Sequence, residues 1–209
     1  MPMRPHPLVM KEKTMPALRL VAVSGGMQQH SKSTVLAQHL LALIAQQLPC
    51  QTQLITLGPL ATQLSSSMQR SQLPDAAQQA LAAVEQADAL VVATPVFRGS
   101  YTGMFKHFFD WIGQDALVDK PILLAATGGS QRHALMLEHQ LRPLFGFFQA
   151  RTLPLGVYAT DSDFVHQHLH AAALLERASL AVQRALPLLA LAQQSAQPPA
   201  LQRPKALVA

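Results

Sequence analysis

Val91–Lys106 reads Val-Val-Ala-Thr-Pro-Val-Phe-Arg-Gly-Ser-Tyr-Thr-Gly-Met-Phe-Lys, and this stretch decides the fold class of the chain. It begins with a continuous apolar run, which is typical of a parallel strand covered on both faces. Pro95 removes a backbone donor and ends that strand. After a loop rich in glycine and hydroxyl groups, apolar residues recur at helical spacing: Phe105, Phe108, Phe109 and Ile112. The stretch therefore predicts a buried strand, a polar loop and a helix, in that order.

The same alternation of strand, loop and helix recurs along the chain. Apolar runs predict five strands, over residues 18–23, 53–57, 89–94, 121–126 and 152–158. Helical periodicity lies between and after them: an apolar stripe from Leu36 to Leu48, a helix that opens at Pro74, the helix just described, one that ends near Phe148 and a closing helix over 164–191. This order predicts an α/β fold, a doubly wound five-stranded parallel sheet in order 2-1-3-4-5.

Composition bounds the domain organisation and the compartment. The chain has 209 residues, and 49% of them are apolar, which suffices for one well-buried core. Cys50 is the only cysteine, so an internal disulfide is excluded and a reducing cytoplasm is favoured. We expect a disordered N-terminal extension over 1–16, with Met15 as a possible alternative start, one α/β domain over 17–192, and a flexible proline-containing tail over 193–209.

Charge and hydropathy exclude several classes of function. The net charge of +5 comes from scattered Arg and Lys, without a basic stripe that alternates with aromatic residues, so an anionic small molecule is favoured and no nucleic-acid partner is expected. The apolar runs are shorter than the roughly 18 residues of a membrane span, and no membrane association is expected. His166 and His170 have a helical spacing that would suit a metal, but no third ligand accompanies them, and we predict no metal site.

Three loops should meet at one edge of the predicted sheet. They follow strands one, three and four, over residues 24–34, 95–102 and 127–130, and ligands bind at this carboxyl edge where the chain order reverses. In the first loop, the hydroxyls of Ser31, Ser33 and Thr34 lie at the start of a helix beside Lys32, as a phosphate site requires. The alternative is that Ser31 or Ser33 is only a helix cap. Neither a dinucleotide fingerprint nor a P-loop is present, which favours a mononucleotide.

The other two loops suit an uncharged heterocycle. Gly128 and Gly129 bring bare backbone close to a flat ligand and offer N–H groups to ring carbonyls, while Pro95–Phe97 supply an apolar edge. An isoalloxazine has this mixed outline. Taken singly, a Gly-Gly pair is more often a turn and Phe97 more often a core residue. The interpretation depends on the three loops together.

Four segments resemble the NADPH-dependent FMN reductases, namely residues 93–103, 126–130, 141–143 and 156–161. The resemblance covers about residues 18–165, and it is strongest to members of the methanesulfonate and alkanesulfonate types, which pass reduced FMN to a separate monooxygenase. It implies a flavodoxin-like fold, FMN as cofactor or substrate, NADPH or NADH as hydride donor, and a homodimer or homotetramer. His139 stands where the alkanesulfonate type has a Tyr that interrupts a helix, which favours the methanesulfonate-like branch.

The resemblance also implies which residues contact FMN. The phosphate loop falls on Ser24, Ser31, Ser33 and Thr34, the ring-edge loop on Pro95, Val96, Phe97 and Ser100, and the pyrimidine loop on Thr127, Gly128, Gly129 and Ser130. We add Lys32 and Arg98 as the cations of the first two loops; the first loop lacks the Pro-Arg usual in the family. No catalytic residue is predicted, because the cofactors themselves carry hydride transfer.

The sequence therefore predicts an NAD(P)H-dependent FMN reductase that supplies reduced FMN to a partner monooxygenase in sulfonate-sulfur assimilation. The main alternative is a quinone, azo-dye or metal-oxyanion reductase that uses bound FMN. An FMN electron carrier is a weaker alternative, because such carriers tend to be acidic and this chain is basic. A regulatory flavoprotein without NADPH turnover is the third.

Overall fold

The computed structural model describes residues 17–195 and contains one parallel sheet in the order β2-β1-β3-β4-β5, with β6 paired to β4 beyond β5. The strands are β1 (Leu18–Ser24), β2 (Cys50–Thr56), β3 (Ala89–Pro95), β4 (Pro121–Gly128), β5 (Arg151–Thr152) and β6 (Val157–Thr160). The predicted doubly wound parallel sheet and its strand order are confirmed.

Helices cover both faces of the sheet. They are α1 (Lys32–Ala45), α2 (Leu57–Ser65), α3 (Asp75–Gln86), α4 (Gly103–Asp110), α5 (Arg142–Phe147) and α6 (Ala172–Ser195). Side chains of α1 and α6 pack in one apolar cluster, and those of α2, α3, α4 and α5 pack in the other.

Strand β3 shows why its sequence is a continuous apolar run. Residues 89–94 are all buried, and successive side chains enter opposite clusters: Leu90 and Val92 pack with α3 and α4, whereas Val91 and Ala93 pack with α1. A strand covered on both faces has no solvent side on which a polar residue would be stable. The prediction from Val91–Lys106 is therefore confirmed in its strand and helix.

The observed bounds of the second and fifth predicted strands differ from the predicted bounds. The second strand begins at Cys50 rather than Gln53, and Leu57 already belongs to α2, a helix that was not predicted and that contains Gly58 and Pro59. Proline is tolerated within the first turn of a helix, where its missing N–H has no intrahelical acceptor. The fifth predicted strand, 152–158, is divided into β5 and β6. Pro154 lies in the break and cannot donate to the sheet.

The helix predicted up to Phe148 is also divided. It consists of a 3₁₀ turn over Gln131–His133, a π-helical turn over Leu137–Leu141, and α5. Pro143 lies at the start of α5 and has no N–H for the His139 carbonyl, so a regular helix cannot pass through this point.

The start of the predicted closing helix was wrong. Residues 164–169 form a hairpin of β7 (Phe164–Val165) and β8 (His168–Leu169), and α6 begins only at Ala172. His166 and Gln167 turn the chain with φ of 45° and 66°, the left-handed conformation of a tight hairpin. His166 and His170 therefore do not share a helix face.

Parts of the predictions for the chain termini and for membrane spans concern residues outside the described range, 17–195. The predicted extension 1–16 and residues 196–209 of the predicted tail lie outside the described residues, and α6 continues through Gln193–Ser195. Within 17–195, none of the helices has the length and apolar character of a bilayer span.

Lys120 is a buried cation at the amino edge of the sheet. Lys120 is the residue immediately before β4. Its Nζ donates to the carbonyls of Val84 (3.0 Å) and Glu85 (2.8 Å) at the end of α3. The pKa of Lys120 is lowered to about 8, mainly by burial. The charge of Arg19 also lowers this pKa, whereas the charges of Asp88 and Glu85 raise it.

We expect the replacement Lys120→Met to change how stability depends on pH. The folded-state pKa of about 8 lies below the ordinary 10.5, so between these values the unfolded chain binds more protons than the folded chain. The unfolding free energy of the wild type minus that of the variant should rise with pH in this window, with a slope approaching about 1.4 kcal/mol per unit. Urea denaturation of both proteins at several pH values measures this, and a constant difference would contradict the lowered pKa.

Candidate cofactor-binding site

A cavity of about 440 Å³ opens at the carboxyl edge of the sheet, where the loops after β1, β3, β4 and β6 come together. Its lining consists of Met27, Gln28, His30, Ser31, Lys32, Pro95, Val96, Phe97, Thr127, Gly128, Gly129 and Asp161. The three loops identified in the sequence thus meet at one cavity, and a fourth segment, at Asp161, joins them.

The start of α1 provides free backbone donors at this cavity. The N–H groups of Thr34 and Val35 donate to the Ser31 carbonyl, and those of Lys32 and Ser33 have no acceptor within residues 17–195. Ser31 occupies the N-cap position, yet its hydroxyl makes no capping bond to the described chain, which argues against the interpretation of Ser31 as a simple cap. Unpaired N–H groups at a helix start attract an anion.

Three predicted phosphate ligands instead connect the loops with one another. Ser24 Oγ lies 2.8 Å from Thr34 Oγ1, and Ser33 Oγ lies 2.6 Å from Thr127 Oγ1. Ser24 and Ser33 are fully buried. The hydroxyls of this turn therefore join β1 to α1 and α1 to the end of β4. Of the residues predicted for the phosphate, Ser31 and Lys32 line the cavity.

The loop after β3 forms a small hairpin at the mouth of the cavity. Phe97 N–H donates to the Ser100 carbonyl (2.8 Å) and Ser100 N–H to the Phe97 carbonyl (3.2 Å), with Arg98 at φ 52° and Gly99 at φ 85° between them. Two left-handed residues define a type I′ turn. Phe97 lines the cavity and is 57% exposed. Arg98 and Ser100 do not line it, and Ser100 Oγ donates to Gln140 Oε1 (3.0 Å) in the π-helical turn.

The Gly-Gly loop is held by hydrogen bonds from its neighbours. Val96 N–H donates to the Thr127 carbonyl (2.7 Å), and the Tyr158 hydroxyl donates to the Ser130 carbonyl (2.8 Å). A Cβ at Gly128 would collide with the Tyr158 hydroxyl, so the close approach requires glycine. Burial and, secondly, Asp161 raise the pKa of Tyr158. The N–H groups of Gly129 and Ser130 have no acceptor in the described part of the chain.

Asp161 is the main residue that the sequence analysis missed. It follows β6, and its Oδ1 lies 2.8 Å from Lys32 Nζ, so the loop cation is paired with a carboxylate at the cavity. The signal was present in the sequence, because Asp161 is the first residue after a strand whose carboxyl end lies at this edge. Met27, Gln28 and His30 were not singled out either, although they belong to the first predicted loop.

These groups fit a flavin mononucleotide in outline. Free N–H donors of the Gly-Gly loop suit the carbonyl side of a flat ring, Pro95, Val96 and Phe97 supply an apolar edge, and Lys32 with the start of α1 suits a phosphate. The fold defines a flavodoxin-like protein, and its candidate cofactor site is the cavity at the carboxyl edge of the sheet.

Comparison with known proteins gives the family. The sequence pattern of the NADPH-dependent FMN reductases matches residues 18–165, and the chain belongs to this family. It is an oxidoreductase that acts on FMN with a nicotinamide nucleotide.

Individual relatives cover most of the chain. The NADH-dependent FMN reductase SfnE of Pseudomonas putida is 55% identical over 171 residues, 82% of this chain and 92% of that protein. An FMN reductase (NADPH) of Pseudomonas aeruginosa is 51% identical over 170 residues, 81% and 91% of the two chains. Among solved structures, an oxidoreductase from Corynebacterium diphtheriae has a TM-score of 0.75 at 32% identity and covers 84% of this chain and 99% of its own. The resemblance stated from sequence is thereby confirmed.

We expect Tyr158→Phe to weaken FMN binding by about three- to tenfold, because the Ser130 carbonyl loses its donor and the Gly-Gly loop is less well fixed. Tyr101→Phe is the matched control, since the Tyr101 ring packs beside Phe105 and lines a different cavity. Titration of flavin fluorescence gives both affinities. Equal affinities for wild type and Tyr158→Phe would show that this hydrogen bond does not position the loop for flavin.

Proposed function

We propose that this protein reduces diffusible FMN with a nicotinamide nucleotide and supplies the reduced FMN to a partner monooxygenase, in sulfonate-sulfur assimilation. The observation that carries the proposal is the composition of the site. Its flavin-facing donors are backbone N–H groups, and Lys32, which we assign to the phosphate, is already paired with Asp161. Such a site favours modest affinity and release.

The proposed pose follows from these donors. The phosphate lies at Ser31 and Lys32 with the N–H groups of Lys32 and Ser33, and the ring lies between Pro95–Phe97 and the Gly-Gly loop. When bound, FMN supplies the hydride-accepting chemistry. Gly129 and Ser130 hold N–H groups where negative charge develops on the ring carbonyls, and the apolar edge excludes water from one side.

A second substrate chamber beside the flavin is the feature that an oxygenase would need. A cavity of about 530 Å³ lies between α4 and α5, and its lining shares no residue with the candidate site. This separation supports transfer of electrons by departure of the reduced flavin. We also propose assembly of a homodimer or homotetramer. The side chain of Phe147, at the cavity between α4 and α5, is 64% exposed, and an exposed aromatic ring there suits a subunit contact. We further propose a cytoplasmic location, consistent with the single cysteine.

We expect Lys32→Gln to weaken FMN by about three- to tenfold and to leave riboflavin within about twofold, because only FMN carries the phosphate. Lys106→Gln, which removes a surface lysine paired with Asp110, is the matched control and should leave both affinities unchanged. Parallel titrations of the two flavins measure the difference. If FMN and riboflavin weaken equally, the phosphate does not lie at the start of α1.

Dialysed protein should lose its FMN, and NADH or NADPH oxidation should then depend saturably on added FMN. This result distinguishes flavin supply from the quinone, azo-dye or metal-oxyanion reductase, in which FMN stays bound and a second acceptor restores turnover. The measurement is nucleotide oxidation by dialysed protein with FMN alone, with a quinone alone, and with both. Retention of stoichiometric FMN and no response to added FMN would contradict the proposal.

A further inference from the structure

We propose that Asp161 competes with the FMN phosphate for Lys32, and that this competition lowers the affinity of the site for FMN and speeds flavin release. The inference rests on the proposed function, which assigns the phosphate to the start of α1. It gives a role to a carboxylate that lines a site for an anionic ligand.

The position of Asp161 is unusual for an acidic residue near a phosphate site. Its carboxylate lines the same cavity as Ser31 and Lys32, and Oδ1 lies 2.8 Å from Lys32 Nζ. The second oxygen, Oδ2, lies 3.9 Å from the place that a Cβ on Gly129 would occupy. Asp161 therefore lies between the start of α1 and the Gly-Gly loop, where its charge repels an incoming dianion.

The backbone around Asp161 is fixed independently of Lys32. Thr160 pairs with Gly128 across the sheet. Thr160 N–H also donates to Asp163 Oδ2 (2.6 Å), and its hydroxyl donates to the same oxygen (2.8 Å). The Asp163 N–H donates in return to the Thr160 side chain, and this capping box anchors the turn that carries Asp161. The carboxylate therefore stays at the cavity when Lys32 moves to another anion, and its repulsion of a bound phosphate persists.

The ion pair between Lys32 and Asp161 is weak enough for another anion to replace Asp161. It has one contact, and the side chains of Lys32 and Asp161 are 36% and 63% exposed. By contrast, Arg70 holds both oxygens of Glu85 (2.6 and 2.7 Å) and also donates to the Trp111 carbonyl. An exposed, single-contact ion pair is weak and screened by salt, so a phosphate dianion can displace Asp161.

Lys32 also has a second resting contact. Its Nζ lies 5.6 Å from the centroid of the Phe164 ring, at the start of the β7–β8 hairpin. Asp161 and Phe164 together hold the ammonium on the β6 side of the cavity before a ligand arrives. Binding of FMN must draw Lys32 away from both, which lowers the net gain from the phosphate contact.

The test is Asp161→Asn, with Asp115→Asn as the control of equal charge change. Asp115 lies in the loop between α4 and β4, at the opposite edge of the sheet. We expect Asp161→Asn to bind FMN about three- to tenfold more tightly and to release it correspondingly more slowly, with riboflavin unchanged. Asp115→Asn should match the wild type for both flavins. The gain should shrink at about 0.5 M salt, where the Debye length falls to a few ångströms.

A double-mutant cycle tests whether Lys32 carries the effect. In the Lys32→Gln background the gain from Asp161→Asn should be smaller, because only the direct repulsion between carboxylate and phosphate remains. An equal gain in both backgrounds would overturn the competition for Lys32. Unchanged or weaker FMN binding by Asp161→Asn, while Lys32→Gln still weakens FMN selectively, would overturn the inference and leave the proposed function intact. A Lys32→Gln protein with wild-type FMN affinity would instead refute the assigned phosphate position.

Discussion

Two buried hydroxyl pairs hold together the loops on which the site depends. Ser33 Oγ and Thr127 Oγ1 join the first turn of α1 to the end of β4, and Ser24 Oγ and Thr34 Oγ1 join β1 to the same turn. Because Ser24 and Ser33 are shielded from water, loss of one partner would leave a desolvated hydroxyl unpaired. These bonds fix the distance between the start of α1, to which we assign the phosphate, and the Gly-Gly loop, to which we assign the ring.

Close backbone approach completes this arrangement. A Cβ on Gly26 would collide with the Ser31 side chain, and one on Gly58 would lie 2.6 Å from the Met27 carbonyl oxygen. The loop after β1 is thus folded back between α1 and α2, which keeps the free N–H groups of α1 at the cavity. The donors are therefore in place without a ligand, which reduces the ordering cost of binding.

The sheet could be predicted because the hydrophobic pattern of each strand and helix lies within its own sequence. The errors occurred where contacts distant in sequence decide the structure. The apolar run of β3 predicts a strand buried on both faces, and the apolar stripe of α1 predicts a helix buried on one face, and both are observed. The hairpin over 164–169 has no such pattern, because its two-residue strands are too short to show a period of two, and tertiary contacts decide its form. The division of the last strand at Pro154 could have been predicted from its missing donor.

The candidate site was predicted at the level of loops but not of side-chain roles. Sequence gives which residues follow each strand, and topology then brings those residues to one edge. It does not give which hydroxyls face inward: Ser33 and Ser31 are two residues apart, yet one is buried against Thr127 and the other lines the cavity. The pairing of Lys32 with Asp161 spans 129 positions of sequence and follows only from the fold. The charge at the start of α1 therefore depends on the assembled edge of the sheet, because Asp161 neutralises the lysine of a loop that looks basic in sequence.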